Sequence, residues 1–110
     1  MDIVLDLINL SPTPVDLFQN FPALRGKHLP VHNLYFQVHK NNTGDVYIGK
    51  KNMNITTEVG IVGVIRPPTS NGLPDLTMEM AGVPNPYILD EYFVAGSVTG
   101  DKVRVTAQIA

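Results

Sequence analysis

The sequence predicts an all-β fold, a single domain over residues 1–110 built as an antiparallel β-sandwich or jelly roll of about seven or eight strands. β-Branched residues dominate, because Val, Ile and Thr supply 29 of the 110 residues while Ala supplies only 5. Apolar and polar side chains alternate in several segments, which is the period of a strand with one buried face. Nine prolines and nine glycines divide the chain into short segments. Together these features favour many short strands over helices.

The alternation places strands along most of the chain. The clearest is Lys102–Ile109, because its apolar side chains share one face and its polar side chains share the other. Six further strands are predicted at 3–10, 31–39, 45–48, Val59–Ile65, 76–80 and 91–98. In the fourth of these, two glycines among β-branched residues predict a bulge or a close approach of strands. The connections at 41–44 and 99–101 contain glycine and other turn-forming residues, so each predicts a hairpin between the strands that flank it.

The proline-rich segment 11–30 does not fit the strand pattern, since its four prolines remove donors that a sheet needs. Thr13 to Asp16 have the spacing of a capping box, which predicts one helical turn that extends through Gln19. Two interpretations carry equal weight: a long loop folded over its own core, or an arm that packs on a neighbouring subunit. The candidate contact residues of such an arm are Val15, Leu17, Phe18, Phe21 and Leu24.

Composition excludes several classes of function. The chain has no cysteine, which rules out disulfides, thiol nucleophiles and thiolate metal sites. Its net charge of −2 gives no basic field for nucleic acid, so none is expected as a partner. The apolar stretch 3–10 is about half the length that crosses a bilayer, so no membrane association is expected. Met1 is followed at once by Asp2, without the basic start of a secretory signal, and synthesis in the cytoplasm is therefore predicted.

Catalytic and metal-binding patterns are weak in this sequence. His28, His32 and His39 do not converge in an extended chain, because His32 and His39 project to opposite faces and Pro30 blocks a helix that would join the others. The neighbouring acids at 90–91 point to opposite sides of a strand. We therefore expect no enzymatic activity, no cofactor and no bound metal. A small hydrolase built from distant residues is the least favoured alternative.

Two motifs point to a family. The first runs over residues 42–49 and reads NTGDVYIG; the second runs over 89–105 and reads LDEYFVAGSVTGDKVRV. Over residues 31–109 the chain resembles small structural proteins of tailed-bacteriophage particles, in which similar turns and strands occur on β-sandwich scaffolds. It departs from them in the adjacent aromatics Tyr92 and Phe93 and in the proline-rich segment. The resemblance implies a protein that decorates or staples a capsid shell and performs no catalysis.

The resulting hypothesis is a virion structural protein, specifically a capsid decoration or cement protein. Its expected partners are the major capsid protein and copies of itself, as a homo-oligomer on the capsid surface of the virion. The first alternative is a head–tail or tail structural component of such a particle. The second is a glycan-binding β-sandwich module, in which exposed aromatic rings would stack on sugars; its candidate residues are Tyr35, Tyr47 and Tyr87.

Overall fold

The computed structural model describes residues 2–66, 77–81 and 86–109. Two short 3-10 helices, Pro22–Leu24 and Leu89–Glu91, are the only helical turns among these residues. The all-β prediction is therefore confirmed. The described strands are β1 (Asp2–Asn9), β2 (Val15–Asp16), β3 (Pro30–Val38), β4 (Val46–Asn54), β5 (Val59–Ile65), β6 (Thr77–Ala81), β7 (Tyr87–Ile88), β8 (Tyr92–Gly96) and β9 (Lys102–Ile109).

The strands form two antiparallel sheets whose buried faces share one core, an arrangement compatible with a β-sandwich. Sheet A has the order β1-β9-β3-β6, and β7 pairs with the first residues of β3. Sheet B has the order β2-β8-β4-β5. Four strand pairs nest inside one another along the chain: β1 with β9, β2 with β8, β3 with β6, and β4 with β5. The chain is thus folded like one long double strand that turns back between β4 and β5.

Alternating side chains from both sheets fill the core. In β9 the buried side chains are those that the alternation predicts, and the intervening Arg104 is exposed. The same alternation operates in β3 and in the first half of β4. Each fully buried Val, Leu, Ile or Phe contributes roughly 1.5–3 kcal/mol relative to exposure. The residues at the centre of the core include Leu34, Phe36, Val38, Val46, Ile48, Val94, Val103 and Val105.

Both predicted hairpins are wrong. The strands that flank 41–44 are β3 of sheet A and β4 of sheet B, and those that flank 99–101 are β8 of sheet B and β9 of sheet A. Neither pair is hydrogen-bonded, because each connection carries the chain from one sheet to the other. The turn-forming residues do mark places where the chain changes direction. They do not specify whether the next strand pairs with the strand before the turn. No residue of 41–44 has a positive φ, so this connection does not use the left-handed conformation.

The two sheet-crossing connections bind each other through a buried carboxylate. Asp101, only 6% exposed, accepts hydrogen bonds from the backbone N–H of Thr43 (3.2 Å) and of Gly44 (2.8 Å). Asn42, equally buried, accepts from the N–H of Lys102 (2.9 Å) and donates its side-chain amide to the carbonyl of Lys102 (2.7 Å). We call these interactions the Asp101 clasp. It satisfies backbone groups of the 41–44 connection and of the first residue of β9, at the end where the chain changes sheets.

The turn between β4 and β5 is a true hairpin. The Asn54 side chain accepts hydrogen bonds from the N–H groups of Thr56 (2.9 Å) and Thr57 (3.1 Å), which bends the chain back. Gly60 has φ +74°, and its carbonyl oxygen lies 2.5 Å from where a Cβ on Gly49 would be, so only glycine allows this approach. The ladder also shifts register between β4 and β5. The bulge and close approach predicted from the glycines of β5 are both confirmed.

The segment 11–30 is attached to its own domain. β2 pairs with β8 at the edge of sheet B, and the amide of Asn20 donates to the carbonyls of Leu5 (3.2 Å) and Leu7 (2.8 Å) at the edge of sheet A. The predicted helical turn is wrong, because Asp16 rather than Thr13 orders the backbone, by accepting from the N–H of Phe18 (3.1 Å). The observed 3-10 helix comes later, at Pro22–Leu24. The segment therefore connects the two sheet edges along one side of the domain.

Residues 67–76 and 82–85 lie outside the described residues, and they include the first residue of the strand predicted at 76–80. The remainder of that strand is observed as β6. Within the described part of the chain, no helix is long and apolar enough to cross a lipid bilayer.

Val105 tests the assignment of the faces of β9. Val105→Asp places an unpaired charge in the core, so we expect it to cost more than about 3 kcal/mol or to prevent folding. Arg104→Asp, one residue away on the exposed face, is expected to change the free energy of unfolding by about 0.5 kcal/mol or less. Urea denaturation followed by circular dichroism measures both variants. Equal effects would show that the two faces are assigned wrongly.

Asp101 tests the clasp. Asp101→Ala leaves the N–H groups of Thr43 and Gly44 without their acceptor, and we expect a loss of about 1–3 kcal/mol in unfolding free energy. The matched control is Asp45→Ala, which ends the other Thr-Gly-Asp sequence but removes only a surface ion pair with Arg66. Such pairs contribute roughly 0–1 kcal/mol. A control that costs as much as Asp101→Ala would contradict a special role for the clasp.

Candidate functional site

The five candidate contact residues of segment 11–30 separate into buried and accessible side chains. Leu17 and Phe18 are fully buried in the core of their own chain, so they are not available as anchors in this structure. Val15 and Leu24 are half-buried and pack against the same core. Phe21 is 39% exposed. The segment is thus a loop that covers the core of its own domain, the first of the two interpretations. Phe21 is the member of the set that a partner can reach.

A larger apolar surface lies on the outer face of sheet A. Val4 in β1 is opposite Thr106 in β9, which in turn is opposite Tyr35 in β3, so the three side chains form one row across three strands. Val4 is 51% exposed and Tyr35 is 40% exposed. We call these three residues the outer row. Phe21 lies beside the same sheet, because its neighbour Asn20 binds the β1 edge.

A groove of charged residues lies at the other end of the domain from the clasp. It is an open depression of about 810 Å³ between β4 and the 3-10 helix Leu89–Glu91. Lys50 lies in it, with Nζ 3.4 Å from Oε2 of Glu91 and 4.2 Å from the centre of the Tyr92 ring. Burial lowers the pKa of Lys50, but its interactions with Tyr92 and Glu91 outweigh this effect and leave the pKa above its ordinary value.

Further ion pairs lie next to this groove. Oδ2 of Asp90 accepts from the backbone N–H of His28 (3.2 Å) and lies 3.4 Å from Nδ1 of its imidazole. Arg25 donates to both carboxylate oxygens of Asp16, at 2.6 and 3.2 Å, and this pairing raises the pKa of Arg25. The other oxygen of Asp90, Oδ1, is buried and has no partner among the described residues. These pairs connect the residues around the two 3-10 helices to each other, to β2 and to β4. The formal charges of the side chains that line the groove sum to about zero.

The structure also places the other sequence candidates. His28 pairs with Asp90, whereas His39 accepts through Nδ1 from the backbone N–H of Asn41 (3.2 Å) at the opposite end of β3. Among residues 2–66, 77–81 and 86–109, no three metal-ligating side chains come together. His32 lies within β3, so the three histidines share no site.

The three tyrosines proposed for a glycan platform do not share a surface. Tyr35 lies on the outer face of sheet A, and Tyr47 lies on the outer face of sheet B, on the opposite side of the domain. Tyr87 instead makes an edge-to-face contact with Tyr92, with ring centres 5.6 Å apart. A single sugar could therefore not stack on all three rings.

Sequence reasoning missed the outer row and the Lys50 contacts. The sequence predicts that Val4 lies in a strand. Which face of that strand is exposed depends on a bulge between Val4 and Asp6, where Asp6 has φ +64°. The one available signal was Asp6 itself, a charged residue in an apolar stretch that tolerates a bulge. Nothing local to Lys50 indicates Tyr92, since the two meet only through the pairing of β4 with β8.

Comparisons with protein-family models, with curated proteins and with solved structures gave no match. The resemblance to phage structural proteins therefore stays a prediction.

Lys50 tests the energetics of the charged groove. Lys50→Gln removes the cation from the Tyr92 ring and from Glu91, and we expect it to lower the free energy of unfolding by roughly 0.5–1 kcal/mol. The matched control is Lys51→Gln, because the adjacent lysine is exposed and makes neither of the two contacts that Lys50 makes with Glu91 and Tyr92. Thermal unfolding of both variants measures the difference. An equal loss in the control would show that Lys50 contributes only general charge.

The pH dependence gives a second measurement on the same variant. Because folding raises the pKa of Lys50, its stabilisation is complete below the ordinary pKa of about 10.5 and is lost as the pH rises through the folded value. The difference in melting temperature between the native chain and Lys50→Gln should therefore shrink above about pH 10.5. A difference that stays constant up to about pH 12 would contradict this assignment.

Proposed function

We propose that the protein is a non-enzymatic structural protein of a virus particle, specifically a decoration or cement protein that binds and reinforces a phage capsid shell. The observation that carries the proposal is the outer row on sheet A, in which the exposed side chains of Val4 and Tyr35 lie in one register row across three strands. Exposed apolar surface on a rigid sheet is typical of a protein–protein contact.

The strand order supports the proposal at the level of the fold. We take the eight strands other than β7 to form a jelly roll, because four nested antiparallel pairs distributed over two sheets are the arrangement of that fold. Jelly rolls are common among viral capsid domains, although the same architecture also serves lectins and cupins. The fold alone is therefore consistent with the proposal but does not select it over other functions. The assignment to a shell depends on the surface.

The chemistry of the outer row suits a protein partner. Tyr35 combines a large apolar ring with a hydroxyl, a combination enriched at the centres of interfaces. Thr106 and then Val4 continue the row on one side of Tyr35 with small branched side chains on a stiff sheet, so little conformational entropy is lost on docking. Phe21 is a second exposed aromatic ring, in the segment whose Asn20 binds the edge of β1. Many copies with weak individual contacts would together resist separation of the shell subunits.

The test uses purified particles that lack the protein. Val4→Asp/Tyr35→Asp adds charges to the outer row, and we expect it to weaken binding to the shell by at least about tenfold, since aromatic anchors contribute most of the energy of an interface. Tyr47→Asp/Asn52→Asp also replaces two uncharged side chains by aspartate, on β4 of sheet B, and is expected to leave binding unchanged. Co-sedimentation with particles measures the affinity, and circular dichroism checks that both variants fold.

Three outcomes count against the proposal. If the outer-row variant binds as tightly as the native chain, the row is not the contact. If both double variants weaken binding equally, the effect reflects net charge and not the row. If the native chain does not bind shells but binds isolated tails, the head–tail or tail alternative replaces the decoration hypothesis.

A further inference from the structure

A pocket of about 210 Å³ lies on the outer face of sheet A, beside the clasp. Leu7 in β1 and Gln37 in β3 are both opposite Arg104 in β9, so these three side chains form a second row across the sheet. His39 and Lys40, which directly follow β3, also line the pocket. Three of the side chains around it can therefore carry positive charge.

This second row is the direct neighbour of the outer row. Arg104 lies two residues from Thr106 in β9, and both side chains are on the same face of that strand. Gln37 lies two residues from Tyr35 in β3, again on the same face. Two residues of a strand span about 7 Å. A partner that contacts the outer row therefore also covers the pocket.

The cations of the pocket have no acidic partner among the described residues. Lys40 and Arg104 are exposed, and neither takes part in an ion pair there. Lys102, two residues before Arg104 and on the same face of β9, is also outside every ion pair of the described chain. Asp6, the acid next to Leu7 in β1, pairs with none of these cations. The pocket thus has a local excess of positive charge on a chain whose net charge is −2.

The backbone around the pocket is already ordered. The N–H of His39 donates to the carbonyl of Lys102 (3.1 Å), and the N–H of Asn42 donates to the carbonyl of His39 (3.0 Å). Nδ1 of His39 accepts from the N–H of Asn41 (3.2 Å), so in the neutral imidazole Nε2 carries the proton and is a donor. An anion that enters the pocket therefore meets donors whose backbone is fixed, which lowers the entropy lost on binding.

The surroundings of the pocket favour a carboxylate of a protein over a polyanion. The net charge of −2 opposes nucleic acid, whose binding needs many lysines and arginines along an extended surface. The apolar outer row beside the pocket instead matches a protein surface, in which apolar and polar side chains are mixed. The planar guanidinium of Arg104 suits bidentate binding of a carboxylate. An Asp or Glu side chain of a protein partner therefore fits both the pocket and the row beside it.

We propose that the shell surface bound by the outer row presents an aspartate or glutamate side chain, and that its carboxylate enters this pocket and binds Arg104 and Lys40. This inference rests on the proposed function and adds the chemistry of the partner surface. The apolar row supplies contact area, while the carboxylate fixes the orientation of the domain on the shell, because charged contacts contribute specificity. Salt weakens the contact, since exposed charges are screened beyond about 8 Å at 0.15 M ionic strength.

The experiment is co-sedimentation with particles that lack the protein, at about 50 mM and about 300 mM NaCl, which brackets the range where screening changes most. Lys40→Gln/Arg104→Gln removes both charges. We expect it to weaken binding at the lower salt concentration by at least about tenfold and to remove most of the salt dependence. Circular dichroism checks that the variant folds.

The matched control is Lys27→Gln/Lys51→Gln, which changes the net charge by the same amount. Both lysines are exposed, neither lines the pocket, and neither forms an ion pair among the described residues. We expect this control to keep the native affinity and the native salt dependence. A loss as large as that of the pocket variant would show that net charge alone acts, and it would overturn the inference.

A zero-length carbodiimide cross-linker identifies the anion, because it joins an ammonium group to a carboxylate only where the two are in contact. In the bound protein, Nζ of Lys40 should form an amide with an Asp or Glu of a shell subunit, and Lys27 should form none. Mass spectrometry of the linked peptides identifies both residues of each cross-link.

The outcomes separate this inference from the proposed function. If the outer-row variant loses binding but Lys40→Gln/Arg104→Gln binds like the native chain, the inference fails and the proposed function stands. If the pocket variant loses affinity but Lys40 forms no cross-link to a shell carboxylate, the pocket binds another anion and the inference fails as well. A native chain that binds no shell at either salt concentration overturns the proposed function together with this inference.

Discussion

The buried carboxylate of Asp101 is the constraint on which the arrangement of the two sheets depends. It binds the backbone amides of Thr43 and Gly44, and so joins the connection between β3 and β4 to the connection between β8 and β9. Each connection takes the chain from one sheet to the other, and a connection of this kind leaves backbone groups that no strand can pair. A carboxylate that accepts from several amides satisfies those groups with charge-assisted hydrogen bonds. The nested strand pairs can form because these two crossings are held side by side.

The proline-rich segment completes the domain on the side that the sheets leave open. Its apolar side chains Leu17 and Phe18 enter the core, while Asn20 covers the edge of β1 and β2 extends sheet B. The result is an uneven surface. One side is covered by the segment. The charged groove around Lys50 is lined by ion-paired side chains. The outer row and the edge of β5 present apolar side chains. A domain with this distribution is suited to contacts with other protein chains.

The outer row and the edge strand β5 lie on different sheets. The outer row belongs to sheet A and faces away from the core, whereas β5 is the edge of sheet B. In the proposed role, many copies would each contact the shell through the outer row. Such contacts can be weak individually and still reinforce the shell together, because many of them act at once.

Periodicity in the sequence determined the strands and their buried faces. The apolar positions of β9 and β3 follow the two-residue period of a strand, so they could be predicted from local pattern. Only the tertiary structure decided which strands pair. A hairpin and a sheet crossing bury the same alternating side chains and begin with the same turn residues, and they differ in long-range hydrogen bonds such as those of Asp101. For the same reason the outer row and the contact of Lys50 with Tyr92 could not be predicted, since each is made by residues far apart in the chain that strand pairing brings together.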